Sequence, residues 1–169
     1  VNSLYPTAQI RFKYAYGPWQ YHTIENEEQN HRACEELNLL ADGEAIERCM
    51  FRVDVKCPKD LITSYLVERN PETKGIEHNL KDKMDQWYWG SELIEAIILG
   101  YRIIKVYEIK EFKKYGDIFN EYVMKCWNGR NANPKPSVIN LAYKAALNCL
   151  TGKFGQKSHP TSCVIYNAN

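Results

Sequence analysis

Strand-like and helix-like periodicities follow one another along this chain without regular alternation, and that pattern limits the architectures open to it. Met50 to Cys57 alternates, with Phe51, Val53 and Val55 on one face and Arg52, Asp54 and Lys56 on the other. A period of two in a run rich in valine predicts a half-buried strand, which Pro58 stops because it has no N–H for a ladder. Further on, Leu93, Ile94, Ile97 and Ile98 recur at helical spacing, with Ser91 placed as N-cap and Gly100 as C-terminal stop. Tyr101 to Glu108 reads as a strand, so helix, glycine and strand make one compact supersecondary unit. Two more helices are expected. One begins at Asp117, carries Ile118, Tyr122 and Lys125 or Cys126 on one stripe, and ends near Gly129; the longest runs from Ser137 to about Leu150, after a loop punctuated by Pro134 and Pro136. This irregular interleaving predicts an α+β fold rather than a doubly wound sheet.

The connecting stretches are read as follows. The first dozen residues look like the end of a strand leading into a short aromatic segment, Tyr14 to Trp19. Glu25 to Glu36 is polar and acid-rich, which predicts a surface excursion, and Arg69-Asn70-Pro71-Glu72-Thr73-Lys74-Gly75 carries turn chemistry. No internal repeat, heptad run or low-complexity tract is present.

At 169 residues the chain can bury one domain core. Its 22 basic and 21 acidic residues leave a formal charge of +1, so any contact with nucleic acid must come from a local patch. One stretch qualifies: Lys125, Arg130, Lys135, Lys144, Lys153 and Lys157 occur with no Asp or Glu between them. Cysteines at 34, 49, 57, 126, 149 and 163 show neither C-x-x-C nor zinc-finger spacing, so free thiols in a reducing, intracellular setting are expected. No run of about 18 apolar residues occurs, and no membrane span is expected. His22, His31, His78 and His159 have no metal-ligand or triad spacing and are assigned structural or surface roles. Trp87-Tyr88-Trp89 is read as core and surface packing in preference to base stacking.

Two short segments about 140 residues apart carry the functional signal: Val1-Asn2-Ser3-Leu4-Tyr5-Pro6, and Lys144-Ala145-Ala146-Leu147-Asn148-Cys149-Leu150-Thr151-Gly152-Lys153-Phe154-Gly155. Their order and separation resemble the first and second polymerase motifs of family B DNA polymerases, D-x-x-S-L-Y-P and K-x-x-x-N-S-x-Y-G, in the protein-primed branch. Between them, Trp89-Gly90-Ser91-Glu92-Leu93, Gly100-Tyr101-Arg102 and Val106-Tyr107-Glu108 resemble the G-x-x-E-L, G-Y-x-I and Y-E run of that branch. The resemblance implies a palm segment over residues 1–12, a terminal-protein-region insertion over 13–112, fingers helices over 113–156 and the start of a following segment over 157–169. With no initiator Met, and with the first motif opening one residue before Val1, a piece of a longer polypeptide is expected.

The resemblance also implies a chemistry. A primer hydroxyl attacks the α-phosphate of a deoxynucleoside triphosphate on a DNA primer-template, and two Mg2+ ions stabilise the attacking and leaving oxygens. The metal-binding carboxylates belong to the Asp of the first motif and to a downstream Asp-Thr-Asp, neither of which is in this chain. Val1 would add its backbone carbonyl to the metal. Ser3, Leu4 and Tyr5 would bind the triphosphate through free backbone N–H groups, with the Tyr5 ring under the deoxyribose excluding a 2′-hydroxyl. Lys144 would clamp the triphosphate, Asn148 would contact the nucleotide or its ribose, and Gly152 would border the nascent base pair. On a helix, Asn140, Lys144, Asn148 and Thr151 would form a polar stripe, with Val138, Ala142, Ala145 and Cys149 facing another way. Cys149 departs from the usual Ser, and Thr151 from the usual aromatic, which bears on base selection. The insertion would meet a terminal priming protein and DNA. The alternative is a non-catalytic remnant that binds DNA or a priming protein.

Overall fold

The computed structural model describes residues 9, 11–70, 72–73 and 75–154. Two compact units emerge: Tyr14–Gly116, and Val1–Lys13 together with Asp117–Asn169.

In chain order, the first unit contains β1 (Tyr14–Thr23), α1 (Glu27–Asn38), α2 (Gly43–Glu47), β2 (Cys49–Lys56), β3 (Glu68–Arg69), β4 (Ile76–Glu77), β5 (Lys83–Trp89), α3 (Gly90–Ile98) and β6 (Arg102–Gly116). Four strands form a sheet in the order β1-β6-β2-β5, and β3 pairs with β4. Every pairing is antiparallel, so the mixed α/β architecture is not doubly wound. The predicted strand at 50–57 is β2, and Phe51, Val53 and Val55 are buried as the alternation requires. They pack with Leu93, Ala96, Ile103 and Val106 into one core. Asp54 is buried as well, because the ladders shift register beside it; its carboxylate accepts the Asp85 N–H at 2.7 Å and the Tyr107 hydroxyl at 2.9 Å.

Several expectations need correction. Gln9 and Arg11 are helical rather than strand-like, and the aromatic segment is a ten-residue strand running to Thr23. Residues 25–36 are not an excursion: most of them form α1, which Asn26 caps by accepting the Gln29 N–H at 2.9 Å. The α3 helix is capped at Trp89, where the Glu92 carboxylate accepts the Trp89 N–H at 2.9 Å, and Ser91 lies inside the helix. Leu93 is fully buried on α3 but Ile98 is 65% exposed, so the stripe rotates onto Ala96 instead. Gly100 does stop this helix, at φ +96°. The strand after it continues past Glu108 to Gly116, because β1 and β2 both pair with that extension.

That extension explains α1. β1 meets β6 only between Glu108 and Gly116, which leaves the first part of β6 without a neighbour on that side. Asparagines of α1 fill the gap. The Asn38 side chain donates to the Ile103 carbonyl at 2.8 Å and accepts the Ile103 N–H at 2.9 Å, and Asn30 accepts the Val106 N–H at 2.8 Å.

The second unit holds α4 (Asn120–Asn131) and α5 (Val138–Phe154). The first of these begins three residues after Asp117 and runs past Gly129; its buried side chains are Val123 and Cys126. They pack with Leu147 of α5, flanked by Phe119, Trp127, Tyr143, Ala146 and Leu150. Gly129 is required where the helices touch, since a Cβ there would lie 2.3 Å from the Tyr143 ring. Among the described residues, no helix is long and apolar enough to cross a membrane.

Candidate nucleotide-binding helix

Helix α5 starts where the sequence predicts, because the Ser137 hydroxyl accepts the Asn140 N–H at 3.2 Å. It ends later than expected. The backbone stays helical through Gly152 to Phe154, so Gly152 is itself a helical residue.

Which side of α5 is free follows from what α4 covers. Tyr143, Ala146, Leu147 and Leu150 turn toward α4, and the Tyr122 hydroxyl donates to the Ala146 carbonyl at 3.0 Å. Lys144, Asn148 and Gly152 are all exposed. Their four-residue spacing sets them along one side of the helix, over about 12 Å. A Cβ built at Gly152 meets nothing within 4 Å, so this end of the line is open to an approaching ligand. No ion pair to Lys144 occurs among the described residues, which leaves its ammonium available to a phosphate.

The polar stripe is not as the sequence suggests, because Asn140 is removed from it. That side chain is 4% exposed and its amide donates to the carbonyls of Arg130, at 2.7 Å, and Asn133, at 3.0 Å. It ties the end of α4 to the start of α5. The strip beside Lys144 is apolar and open, with Val138 82%, Ile139 55% and Leu141 53% exposed, and Ala142, Ala145 and Cys149 exposed among them. Val138, Ile139, Ala142 and Ala146 line one wall of a cleft of about 520 Å³, with Tyr122, Lys125 and Cys126 opposite. Lys125, Lys135 and Lys153 are also solvent-facing, so the described lysines of the acid-free run are on the surface of this unit.

Val1, Ser3, Leu4 and Tyr5 lie outside the described residues, so α5 carries the described part of the predicted site. Among those residues, no group of three or more His, Cys, Asp or Glu could hold a metal ion. His22 stands 3.3 Å from Glu111, which also pairs with Arg48 at 3.0 Å.

The middle run of motif residues is architectural. Gly90 lies so close to α2 that a Cβ would sit 1.8 Å from the Ile46 carbonyl oxygen. Glu92 caps α3 and Leu93 is fully buried. The Tyr101 hydroxyl accepts the Tyr65 N–H at 3.0 Å and lies 3.2 Å from the Ser64 hydroxyl. Arg52 binds Asp85 through two nitrogens, at 2.5 and 2.8 Å, and Glu108 at 2.8 Å. The Arg52 hydrogen bond holds the Asp85 carboxyl below its usual range. Burial, then Glu111, pushes the Cys49 thiol up to about 11, which keeps it neutral in the core at neutral pH.

Sequence reasoning missed the outer face of the sheet. Tyr88 is core and Trp87 and Trp89 are surface, as read, the two tryptophans being 38% and 37% exposed on the other side. They belong with Trp19 and Tyr21, which are 47% and 55% exposed, and with the half-buried Phe112. The missed signal was the alternation of Lys110, Phe112 and Lys114, which lies beyond the predicted strand end.

A model of the family described as DNA polymerase type B, organellar and viral, matches residues 1–169. A probable DNA polymerase of Neurospora intermedia is 28% identical over 159 residues, covering 92% of this chain and 15% of that protein. The crystal structure of Phi29 DNA polymerase superposes with a TM-score of 0.61 at 19% identity, over 93% of this chain and 26% of the other. At that identity the match establishes shared fold. The chain thus spans a minor part of each relative's length. Because the family model covers every residue of it, this chain belongs to the organellar and viral type B DNA polymerases.

Proposed function

We propose that this chain is the palm-to-fingers part of a protein-primed DNA polymerase, in which α5 holds the incoming deoxynucleoside triphosphate over a DNA primer-template. The supporting observation is the exposed line Lys144, Asn148 and Gly152 on a helix whose opposite side is fastened to α4. A rigid helix holds a phosphate-binding ammonium in place better than a loop does. In this reading Lys144 clamps the triphosphate, Asn148 meets the nucleotide or its ribose, and Gly152 leaves room for the nascent pair. Ser3, Leu4 and Tyr5 complete the pocket, and Tyr5 excludes the ribose 2′-hydroxyl. Val1 offers a carbonyl to Mg2+, whose carboxylate ligands the family resemblance assigns to motif residues outside these 169. On this reading the 169-residue chain binds nucleotide weakly and does not extend a primer. The priming partner would be a terminal protein that meets the insertion.

Titration of the purified chain with a fluorescent deoxyadenosine triphosphate tests the assignment. Lys144→Ala is expected to weaken binding by at least about tenfold, since a hydrogen bond to a charged group contributes about 1.5–3 kcal/mol. Tyr5→Val is expected to narrow the preference for the deoxy- over the ribonucleotide. Unchanged binding with Lys144→Ala would remove α5 from the site.

A further inference from the structure

The outer face of the four-stranded sheet carries rings and lysines where a solvated sheet carries mixed charge. Register sets one row across all four strands: Tyr21 pairs with Lys110, Lys110 with Met50, and Met50 with Trp89. The neighbouring pair is Trp19 with Phe112. Rings on this face touch one another: Trp19 and Tyr21 lie 4.8 Å apart edge to face, and Trp89 stacks on Phe112 at 5.5 Å. Tyr21 and Trp87 come within 6.3 Å although their strands are opposite edges of the sheet. Three strand spacings would separate them by about 14 Å in a flat sheet, so the sheet curls and this face is its inside.

Lys110 occupies the middle of that concave face, and Lys114 lies further along β6 beside β1. Lys110 lies 4.2 Å from the Trp19 ring centre and 5.4 Å from that of Phe112, and Lys114 lies 5.9 Å from that of Tyr16. Edge strands often carry lysine to prevent sheet-to-sheet pairing, but Lys110 has β1 on one side and β2 on the other, so that explanation does not apply to it. The acids of the face, Asp85 and Glu108, are both held by Arg52. Among the described residues, no ion pair reaches Lys110 or Lys114. The result is a cationic surface of exposed rings with no acid at its Lys110 end.

We propose that this face is a stacking platform for an unpaired nucleic acid strand, with bases on Trp19, Tyr21 and Trp87 and phosphates on Lys110 and Lys114. Rings accept any base through its π-face, and interleaved ammonium groups track the backbone, a combination that favours single strands over duplex. A peptide would use the rings but leave the lysines without partners, unless it were acidic. The choice of nucleic acid over peptide draws on the family reading. The platform itself lies on the sheet of Tyr14–Gly116 and does not involve α5, so failure here and failure of nucleotide binding are separate results.

The test uses the whole chain and a fluorescein-labelled twelve-nucleotide oligo-dT, beside a twelve-base-pair duplex. The single strand is expected to bind at least about tenfold more tightly and to quench tryptophan emission. Trp19→Ala and Tyr21→Ala should each weaken it by about fivefold to 150-fold, from the 1–3 kcal/mol that a stacked base contributes. Tyr21→Phe keeps the ring and should keep the affinity, which separates stacking from misfolding. Lys110→Gln and Lys114→Gln should each lower the slope of log K against log salt by about 0.7, while Lys59→Gln, on an exposed loop, should not. Three results would overturn the proposal: duplex binding as tight as single-strand binding, no loss with the alanine variants, or displacement by poly-glutamate as effective as by oligo-dT. The last would make the partner an acidic polypeptide.

Discussion

At Gly90 the backbone of α3 touches the Ile46 carbonyl, and a methyl group there would overlap it at 1.8 Å. Two effects of Gly90→Ala oppose each other. Alanine is favoured over glycine in a helix by about 1 kcal/mol. The overlap is with backbone rather than a flexible side chain, so α2 and α3 must separate, and overpacking of this kind costs about 1–3 kcal/mol or more. The clash wins. Gly90→Ala is expected to lower the midpoint of thermal unfolding, while Gly43→Ala, where an added Cβ meets nothing within 4 Å, is expected to leave it nearly unchanged or raise it. Circular dichroism melts of the two variants decide this, and equal midpoints would remove the close-approach account. The motif glycine was legible as a letter in the sequence, but its reason was not, because Ile46 is 44 positions away.

Element by element, strands that alternate were legible and the helix built on amides was not. β2 announces its faces through Phe51, Val53 and Val55, because burial of alternate side chains is a local pattern. α1 buries only Leu37, and two of its attachments to the sheet are asparagines, so its sequence looks like solvated surface. Asn38→Ala would leave both the N–H and the C=O of Ile103 without this partner. An unsatisfied buried group costs about 1–3 kcal/mol, so a loss of about 2–4 kcal/mol in unfolding free energy is expected from denaturant titration. Asn38→Asp keeps the acceptor for the Ile103 N–H and should lose less. A midpoint unaffected by Asn38→Ala would mean that α1 does not complete β6.

Over the whole molecule, the two units differ in how much core each owns. The core around Val53, Val55, Leu93 and Val106 is made wholly of residues between Ile24 and Ile109. Among the described residues, the helical unit has three buried hydrophobic side chains, Val123, Cys126 and Leu147. A core that small rarely holds a helical pair together unaided. A polypeptide of residues 14–116 is therefore expected to melt cooperatively, and one of residues 117–154 to show little cooperative melting. Calorimetry on the two pieces checks this. A non-cooperative 14–116 piece would show that its core is insufficient.

Lys144 and Asn148 could be placed on one helix from spacing alone, because helical periodicity is set by the backbone and repeats wherever the chain is helical, whereas the extension of that helix through Gly152 was not foreseen. The same holds for the inner face of β2 and for the stop at Gly100, each decided by a few adjacent residues. Asn140 shows where local pattern gives out: it shares the spacing of Lys144, yet α4 lies on its side and the carbonyls of Arg130 and Asn133 take its amide. The aromatic face shows it more fully. Trp19, Lys110, Met50 and Trp89 sit in four separate strands, and only the register of β1, β6, β2 and β5 brings them onto one surface. Register is a property of pairs of segments distant in sequence, and the curl that brings Tyr21 to Trp87 is a property of the complete sheet, so neither is written in any one stretch of the chain.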